Sequence, residues 1–258
     1  MIEITTAKIV IMFFLCILAG FVDSVAGGGG LISLTSYYAI GLPPVYALGN
    51  NKFSSTFGTL FATINYARKG DVLYKIAIFA SIFAIAGSSL GAQLALHFAG
   101  RIFKYVLLVV LPVLTFFTLK KKGKKIERKG LDLSGKLDAK VYLFIMMIAI
   151  LVGVYDGFFG PGTGTFYTLG LTFIGLPMLQ ACGTTKFINL ASNIAALTTF
   201  ILNGNIIYKL GIPCVFASII GNLLGSEFAM KKGDKGIKPV ILIVIMLLYI
   251  KIISDLAF

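Results

Sequence analysis

Charged side chains are scarce in this sequence, and acidic ones are scarcer than basic ones. Charged residues make up 13% of the 258, with 10 acidic residues against 23 lysines and arginines. Soluble domains are roughly a quarter charged and about half apolar, whereas this chain is 58% apolar. Such a surplus of apolar side chains cannot be hidden in one water-soluble core and must face lipid. The composition therefore excludes a soluble domain and predicts an all-α polytopic membrane protein with about seven to nine spans.

Tryptophan is absent, histidine occurs once and cysteine three times. Cys16, Cys182 and Cys214 lie inside apolar runs with no CxxC spacing, which is typical of small buried residues and not of disulfides or metal ligands. The sequence therefore predicts no metal site and no cofactor. Without tryptophan, an aromatic belt at the membrane interface has to come from the 11 tyrosines and 22 phenylalanines.

The net charge of +13 is carried by short basic segments between apolar runs, at residues 68–69, 101–104, 120–140 and 231–238. Short basic loops are typical of the cytoplasmic side of membrane proteins. No basic stripe lies on a water-exposed element, so we exclude nucleic acid as a partner and expect the lipid bilayer and a small anion. The glycine runs match neither the P-loop nor the Rossmann pattern, which excludes nucleotide binding there.

An internal repeat is the strongest signal in the sequence, because a shift of 133 or 134 residues aligns its two halves. The matched positions are mostly glycine, proline, aspartate and lysine, which a bias toward lipid would not produce by chance. We predict a first membrane repeat over 1–119, a basic cytoplasmic linker over 120–140 and a second membrane repeat over 141–258. The matches include Gly20 with Gly153, Asp23 with Asp156, Pro43 with Pro177, Lys52 with Lys186, Gly70 with Gly204, and Gly91 with Gly225.

Each repeat is predicted to hold a re-entrant helical hairpin followed by three transmembrane helices. Its first arm has only 14 or 15 uncharged residues before an aspartate (9–22 and 141–155), or about 22 Å of helix against a membrane core of about 30 Å. A glycine-rich turn and an arm of about ten residues follow. The longer segments are 45–67, 72–98 and 102–119 in the first half, and 180–202, 206–230 and 237–257 in the second.

A hairpin plus three crossings is an odd number of passages, so the second repeat would be inverted relative to the first. In the inverted arrangement the basic segments 68–69, 120–140 and 231–238 share one side, which the positive-inside rule makes cytoplasmic. A parallel arrangement with four full spans per half would place 231–238 opposite the linker. Charge bias favours the inverted arrangement, and the parallel one stays open.

Charged residues at membrane depth are functional candidates, because each costs several kcal/mol unless it is paired or solvated. Lys52 and Lys186 are equivalent, so a two-fold axis between the repeats would bring both ammonium groups to one central site. Ammonium groups, hydroxyl and amide donors, and helix N-termini bind oxyanions. The predicted substrate-binding residues are Lys52, Lys186, Asn50, Asn51, Thr184, Thr185, Asn189, Gly28, Gly29, Gly162 and Thr163.

Asp23 and Asp156 are the predicted proton-coupling residues, because a carboxylate next to a bound anion favours its protonated form. Two simpler roles stay open. The aspartates could form structural ion pairs with Lys52 and Lys186. They could instead cap the N-termini of the half-helices that follow the glycines.

The residues around these aspartates and lysines resemble the TauE/SafE family of sulfite and organosulfonate exporters. The resemblance is carried by Gly-Phe-Val-Asp-Ser-Val-Ala-Gly-Gly-Gly-Gly at 20–30, Gly-Leu-Pro-Pro at 41–44 and Ala-Leu-Gly-Asn-Asn-Lys at 47–52, with second copies at 156–164 and 181–186. The second glycine run departs from the pattern with Pro161 and Thr163, so the two hairpin tips need not be equivalent.

The resemblance implies a multi-pass carrier of the cell inner membrane that moves sulfite, thiosulfate, sulfonates or related small anions by alternating access, with protons as a candidate coupling ion. We therefore predict a secondary transporter and no enzymatic activity. An anion channel is the main alternative, although a deep lysine pair would trap an anion and slow conduction. An intramembrane aspartyl protease is disfavoured because both aspartates precede their glycines and are related by the repeat. No oligomeric state follows from the sequence.

Overall fold

The computed structural model describes residues 4–98 and 138–257, and every regular element within these ranges is an α-helix. The all-α prediction is therefore confirmed. The predicted span 102–119 and residues 120–137 of the predicted linker lie outside the described residues. The helices are α1 (Thr6–Ala26), α2 (Gly29–Ala39), α3 (Pro44–Arg68) and α4 (Tyr74–Phe98), then α5 (Ala139–Phe158), α6 (Thr163–Phe173), α7 (Met178–Leu202), α8 (Tyr208–Lys232) and α9 (Asp234–Ala257).

Five of these helices are long and apolar enough to cross a membrane, namely α1, α4, α5, α7 and α8. Their outer faces carry large exposed apolar side chains such as Phe14, Ile82 and Leu151, as expected of surfaces in contact with lipid. α3 is as long as α7 but is less apolar, because a run of polar residues lines its buried face. The multi-pass membrane architecture is thus built into the described part of the chain.

The first helix of each half is longer than the sequence predicted. α1 has 21 residues and α5 has 20, about 30 Å each, because both continue past their aspartates. Asp23 and Asp156 lie within the last turn of these helices and do not end them. The prediction of two short arms is correct only for α2 and α6, which have 11 residues each.

The tips of the two hairpins are in direct backbone contact. Gly27 follows the last residue of α1 and has a φ of 75°. A Cβ there would overlap the backbone of Gly164 in α6. The hydroxyl of Thr165 donates to the carbonyl of Ala26 at 2.5 Å across the same junction. Positive φ and close backbone approach both require glycine, so the glycine-rich turns serve the joining of the two repeats.

The helix contacts between the two repeats are reciprocal: α1 packs on α8, and their counterparts α5 and α4 pack on each other in the same way. A Cβ at Gly221 of α8 would overlap the carbonyl of Ile17 in α1, and a Cβ at Gly87 of α4 would meet the carbonyl of Ile150 in α5. Glycines four residues apart let helix backbones approach closely. Contacts exchanged between equivalent pairs are the signature of two-fold symmetry. The next turn repeats the contact, with Gly225 against Phe21 and Gly91 against Val154.

The equivalent helices α3 and α7 run antiparallel. The loop after the C-terminal end of α3 lies beside the beginning of α7, where the Leu73 N–H donates to Thr184 Oγ1 at 3.0 Å. At the other end, the carbonyl of Asn205, which follows α7, lies against Gly49 near the start of α3. Lys52 and Lys186 therefore lie on two helices that run in opposite directions.

Candidate functional site

The four charged residues that the repeat singled out meet in two ion pairs, each joining one repeat to the other. Lys52 Nζ lies 2.8 Å from Asp156 Oδ1, and Lys186 Nζ lies 2.6 Å from Asp23 Oδ2. Both lysines are 1% exposed. A buried unpaired ammonium would be strongly destabilising, so each pair offsets the cost of burying its own lysine.

Helix geometry places these side chains. Lys52 and Lys186 each lie eight residues after the first residue of α3 or α7, about 12 Å into the bundle. The aspartates come from the ends of α1 and α5. They do not cap the following half-helices, because α2 and α6 begin after Gly28 and Gly162 with no side-chain capping bond. The capping hypothesis is therefore wrong, and each aspartate forms an ion pair with a lysine instead.

The two ion pairs have different surroundings. Lys52 Nζ also donates to Asn193 Oδ1 at 2.9 Å, and Ser192 Oγ donates to Asp156 Oδ2 at 2.8 Å. Neither side chain of this pair is more than 2% exposed. The carboxylate of Asp23, by contrast, belongs to a side chain that is 15% exposed. Among the described residues, no further hydrogen bond to this carboxylate or to Lys186 Nζ is found.

The difference between the two ion pairs follows from a difference in amino-acid sequence between the repeats. Under the repeat offset, Asn193 corresponds to Thr59 and Ser192 corresponds to Gly58. Glycine has no side chain to donate, and the Oγ1 of Thr59 is buried without a hydrogen-bond partner. The two halves thus share the ion pair and differ in the polar residues that would support it.

The other predicted polar residues of α3 and α7 are buried. Ser33 Oγ donates to Asn51 Oδ1 at 2.5 Å, and Thr168 Oγ1 donates to Thr185 Oγ1 at 3.2 Å. Asn50 Nδ2 donates to the Tyr46 carbonyl at 2.8 Å. Their polar groups are engaged mainly by the protein. Thr184 accepts from Leu73 as described above, and Asn189 Oδ1 accepts from Asn193 Nδ2 at 3.4 Å.

The predicted glycine-turn residues lie at close contacts. A Cβ at Gly28 would overlap Val244 of α9, a Cβ at Gly29 would overlap the Ala19 carbonyl, and Gly162 begins α6 with a φ of 80°. Thr163 Oγ1 donates to the Gly160 carbonyl at 2.7 Å. These contacts explain why the turns need small residues, and they leave anion binding by the turns as a prediction.

Three residues next to Lys52 are not in the predicted binding set. Asn193 and Ser192 bond the pair directly, and a Cβ at Gly160 would lie 3.5 Å from Lys52 Nζ. Asn193 is one of the polar residues that accompany Lys186 in the sequence, and the spacing of Lys186, Asn189 and Asn193 places these side chains on one helix face. Ser192 carried no such signal, because its partner Asp156 comes from another helix.

Comparison with known proteins identifies the family of the chain that carries these ion pairs. The profile of a family described as "Sulfite exporter TauE/SafE" matches residues 12–252. The chain belongs to this family. The resemblance seen in the motifs is thereby confirmed over nearly the whole chain, and the two lysine–aspartate pairs lie inside the matched region. No solved structure gives a significant match.

Relatives of this TauE/SafE protein carry transporter names. A "Probable membrane transporter protein ORF9" of Sinorhizobium sp is 36% identical over 246 residues, covering 95% of this chain and 92% of that protein. A "Probable membrane transporter protein" of Haemophilus influenzae is 34% identical, covering 95% and 94%. "Probable membrane transporter protein YfcA" of Escherichia coli K12 is 33% identical, covering 95% and 89%.

These relationships establish a membrane transporter of the TauE/SafE family, embedded by several apolar helices. The transporter names of the relatives are consistent with the prediction that the protein is not an enzyme.

Proposed function

We propose that this protein is a secondary transporter of small sulfur-containing anions, such as sulfite, thiosulfate and sulfonates, and that it works by alternating access in the cell inner membrane. The observation that carries the proposal is the pair of buried ammonium groups, each neutralised by a carboxylate of the opposite repeat. The choice of sulfur-containing anions follows the description of the family.

The ion pairs supply a mechanism for taking an anion out of water. An ammonium has three donors, and an oxyanion that replaces the aspartate as its partner keeps the charge balanced inside the membrane. The released carboxylate would then take up a proton, coupling proton and anion movement through Asp23 or Asp156. Titratable groups that interact with these aspartates are Lys186 and Tyr66 for Asp23, and Lys52, Tyr155 and Tyr167 for Asp156.

The polar residues predicted from the sequence complete the proposed binding region. They flank the lysines along α3 and α7 or lie in the hairpin turns, and we propose that they supply hydroxyl, amide or backbone donors to an oxyanion once the pairs open. The set is Lys52, Lys186, Asn50, Asn51, Thr184, Thr185, Asn189, Gly28, Gly29, Gly162 and Thr163.

The repeats are proposed to be inverted across the membrane. The antiparallel course of α3 and α7 supports this orientation, since parallel repeats would point equivalent helices the same way. Near the ends of α3 and α8, Asn65 Nδ2 donates to Ser226 Oγ at 2.8 Å, so the basic ends of these two helices lie at the same end of the bundle. The positive-inside rule makes that end cytoplasmic.

Transport into proteoliposomes tests the proposal. Purified protein should move labelled sulfite, thiosulfate or a small sulfonate with saturable kinetics, and an imposed pH gradient should change the rate. Lys52→Ala and Lys186→Ala should each abolish transport, whereas Lys238→Ala, which breaks an exposed pair with Asp234, should not. Wild-type protein that moves none of these anions would reject the proposal. Flux that does not saturate would favour the channel alternative.

A further inference from the structure

The two ion pairs are not interchangeable if anion transport is the function, as proposed above. The Lys52–Asp156 pair is held by Asn193 and Ser192 as well as by its own charges. Within residues 4–98 and 138–257, no hydrogen bond other than the pair's own contact is found for Lys186 and Asp23, and the Asp23 side chain is partly exposed. Opening the first pair would break three contacts between buried groups, whereas opening the second would break one.

Thr59 adds a second observation on the Lys186 side. It lies on α3 at the position that corresponds to Asn193, the residue that bonds Lys52 in the other pair. Thr59 is fully buried, and its Oγ1 has no hydrogen-bond partner in the part of the chain that the structure describes. A buried hydroxyl without a partner costs free energy, so its presence calls for an explanation, such as a role in another state. The pseudo-symmetry of the repeats assigns this free donor to the surroundings of Lys186.

We propose that the transported anion binds at Lys186 in place of Asp23, with the Thr59 hydroxyl as a second donor, while the Lys52–Asp156 pair stays closed and holds the two repeats together. In this arrangement the displaced Asp23 carboxylate moves toward the side on which its side chain is already partly exposed. Lys52 keeps its carboxylate and offers no free positive charge.

The proposal also names a class of substrate. With Lys52 neutralised by Asp156, the open site holds one uncompensated positive charge. A singly charged oxyanion, such as hydrogensulfite or a small sulfonate, balances that charge. A dianion, such as sulfate or thiosulfate, would leave a net negative charge buried in a medium of low dielectric constant, which is disfavoured. We therefore expect a preference for monoanions.

Competition and stability measurements on the full-length protein separate the two pairs. Methanesulfonate should compete with labelled hydrogensulfite uptake at least about tenfold better than sulfate or thiosulfate does, the factor corresponding to about 1.4 kcal/mol. Thr59→Val, which removes the free hydroxyl and keeps the shape, should raise KM several-fold with little change in Tm. Lys186→Arg should retain binding better than Lys186→Ala.

The matched variants lie on the other pair. Asn193→Thr installs the residue found at the equivalent position and should mainly lower Tm, and Asp156→Asn should lower Tm by on the order of 10 °C. A KM effect from Asn193→Thr with none from Thr59→Val would overturn the inference, as would a preference for dianions. Wild-type protein that moves no sulfur-containing anion would reject the proposed function itself, so the two failures are distinguishable.

A different part of the structure carries a second inference, about two equivalent loops. Residues 69–73 join α3 to α4, and residues 203–207 join α7 to α8. Both make the same turn: Asp71 N–H donates to the Tyr66 carbonyl, and Asn205 N–H donates to the Phe200 carbonyl. Each loop lays a backbone carbonyl on a glycine of the opposite repeat, where a Cβ would overlap it. These contacts are Asp71 on Gly183 and Asn205 on Gly49.

The two loops differ in how they are bonded to the opposite helix. Leu73 N–H donates to Thr184 Oγ1 at 3.0 Å, which ties the first loop to α7. The acceptor equivalent to Thr184 in the other half is Asn50. Its Nδ2 donates to Tyr46, and its Oδ1 is buried with no partner among the described residues. The first loop is therefore bonded to the opposite helix, whereas the second lies against its glycine without the equivalent bond.

We also infer that the two loops close opposite ends of the α3–α7 pair in turn. Each loop is hydrogen-bonded to the opposite helix in one conformation and not in the other. In the conformation described here the 69–73 loop is bonded through Thr184. In the opposite conformation this bond breaks, and Asn50 Oδ1 accepts the N–H of Ile207, the residue equivalent to Leu73. Each glycine under a loop lies three residues before a paired lysine, on the same helix face, so each loop lies about one helical turn from an ion pair.

Hydrogen–deuterium exchange on the full-length protein tests the alternation. Thr184→Val removes the bonded acceptor and should speed amide exchange several-fold in 69–73 while slowing it in 203–207. Asn50→Leu removes the free acceptor and should slow exchange in 69–73, because the competing conformation loses its bond. A rise in exchange confined to 69–73, or no change in either loop, would show that the bond is local and would overturn the inference.

Discussion

At the scale of single residues, the structure is governed by the cost of burying charge. Lys52 and Lys186 are as buried as core leucines, and each is tolerated because a carboxylate of the opposite repeat reaches its ammonium. The cross-repeat pairing means that neither half can bury its own lysine alone. A buried lysine that loses its carboxylate partner has an uncompensated positive charge, which an anion can then neutralise.

The Lys52 pair provides a stability test of this view. Lys52→Met leaves Asp156 buried without its cation and should cost about 3–5 kcal/mol, whereas Lys52→Met combined with Asp156→Leu removes both charges and should recover most of the loss. Thermal unfolding of the purified protein in detergent measures both effects. A double variant as unstable as the single one would show that the polar contacts of Asn193 and Ser192, and not the unpaired charge, dominate the site.

At the scale of helices and loops, close backbone contact decides which positions must be glycine. A Cβ at Gly91 of α4 would overlap the carbonyl of Val154 in α5, and backbone atoms cannot rotate away. A Cβ at Gly170 of α6 would meet only the end of the Ile148 side chain, at 2.8 Å. The first contact is rigid, and the second can relax.

These two glycines form a matched pair of variants. Gly91→Ala should separate α4 from α5 and lower the unfolding free energy by about 2 kcal/mol or more, as overpacking does. Gly170→Ala should be close to neutral, since alanine favours the helix by up to about 1 kcal/mol. Thermal unfolding checks both. Equal losses in the two variants would mean that helix–helix approach is not what keeps Gly91.

Asp71 gives a prediction at the loop between α3 and α4. Partial burial raises the pKa of its carboxyl above the usual value, so the folded state disfavours the ionised form. A raised pKa for an acid costs stability above the folded-state pKa and costs none below the unfolded-state value, where both states are protonated. Asp71→Asn, the residue present at the equivalent Asn205, should therefore stabilise the protein near neutral pH and lose this advantage at acid pH.

The expected gain is well under about 1 kcal/mol, because solvent screens a half-buried carboxylate. Thermal unfolding of Asp71→Asn and of the unaltered protein at two pH values measures it. A gain that is the same at both pH values would assign the effect to packing on Gly183 and not to ionisation.

At the scale of the whole molecule, two-fold exchange between the repeats organises the protein. α1 packs on α8 as α5 packs on α4, the hairpin tips meet, and α3 and α7 run antiparallel through the centre. The two repeats depart from this symmetry in their sequences, at the residues that support the ion pairs and the loops. These differences make the two ends of the bundle unequal, which fits the proposed alternating access.

Membrane orientation is the prediction at this scale. Single cysteines replacing Lys69 and Lys232 should react with a membrane-impermeant thiol reagent only from the cytoplasmic side, and a cysteine replacing Asn203 only from the other side. The native Cys16, Cys182 and Cys214 are buried and provide the unlabelled background. Labelling of all three engineered positions from one side would reject inverted repeats.

Much of the candidate site was predictable because it is duplicated. The offset of 133 or 134 residues marks Asp23, Lys52, Asp156 and Lys186 without reference to any structure, and their charge at membrane depth marks them as paired or functional. The helical architecture follows from the apolar runs in the same way. The length of α1 was predicted wrongly because Asp23 was treated as the end of an apolar arm. Its neutralisation by Lys186 lets the helix continue to Ala26.

The sequence by itself determined that two like halves exist, that they are helical and membrane-embedded, and which four charges must be compensated. Only the tertiary structure decided which carboxylate compensates which lysine. Pairing within a repeat and pairing across repeats use the same four residues, so the identity of these residues does not tell the two arrangements apart. The choice depends on how α1 and α5 approach α7 and α3 in space. The glycine contacts of α1 with α8 and of α5 with α4 set that approach. Asn193 and Ser192 then bond the Lys52–Asp156 pair, to which only the folded bundle brings them.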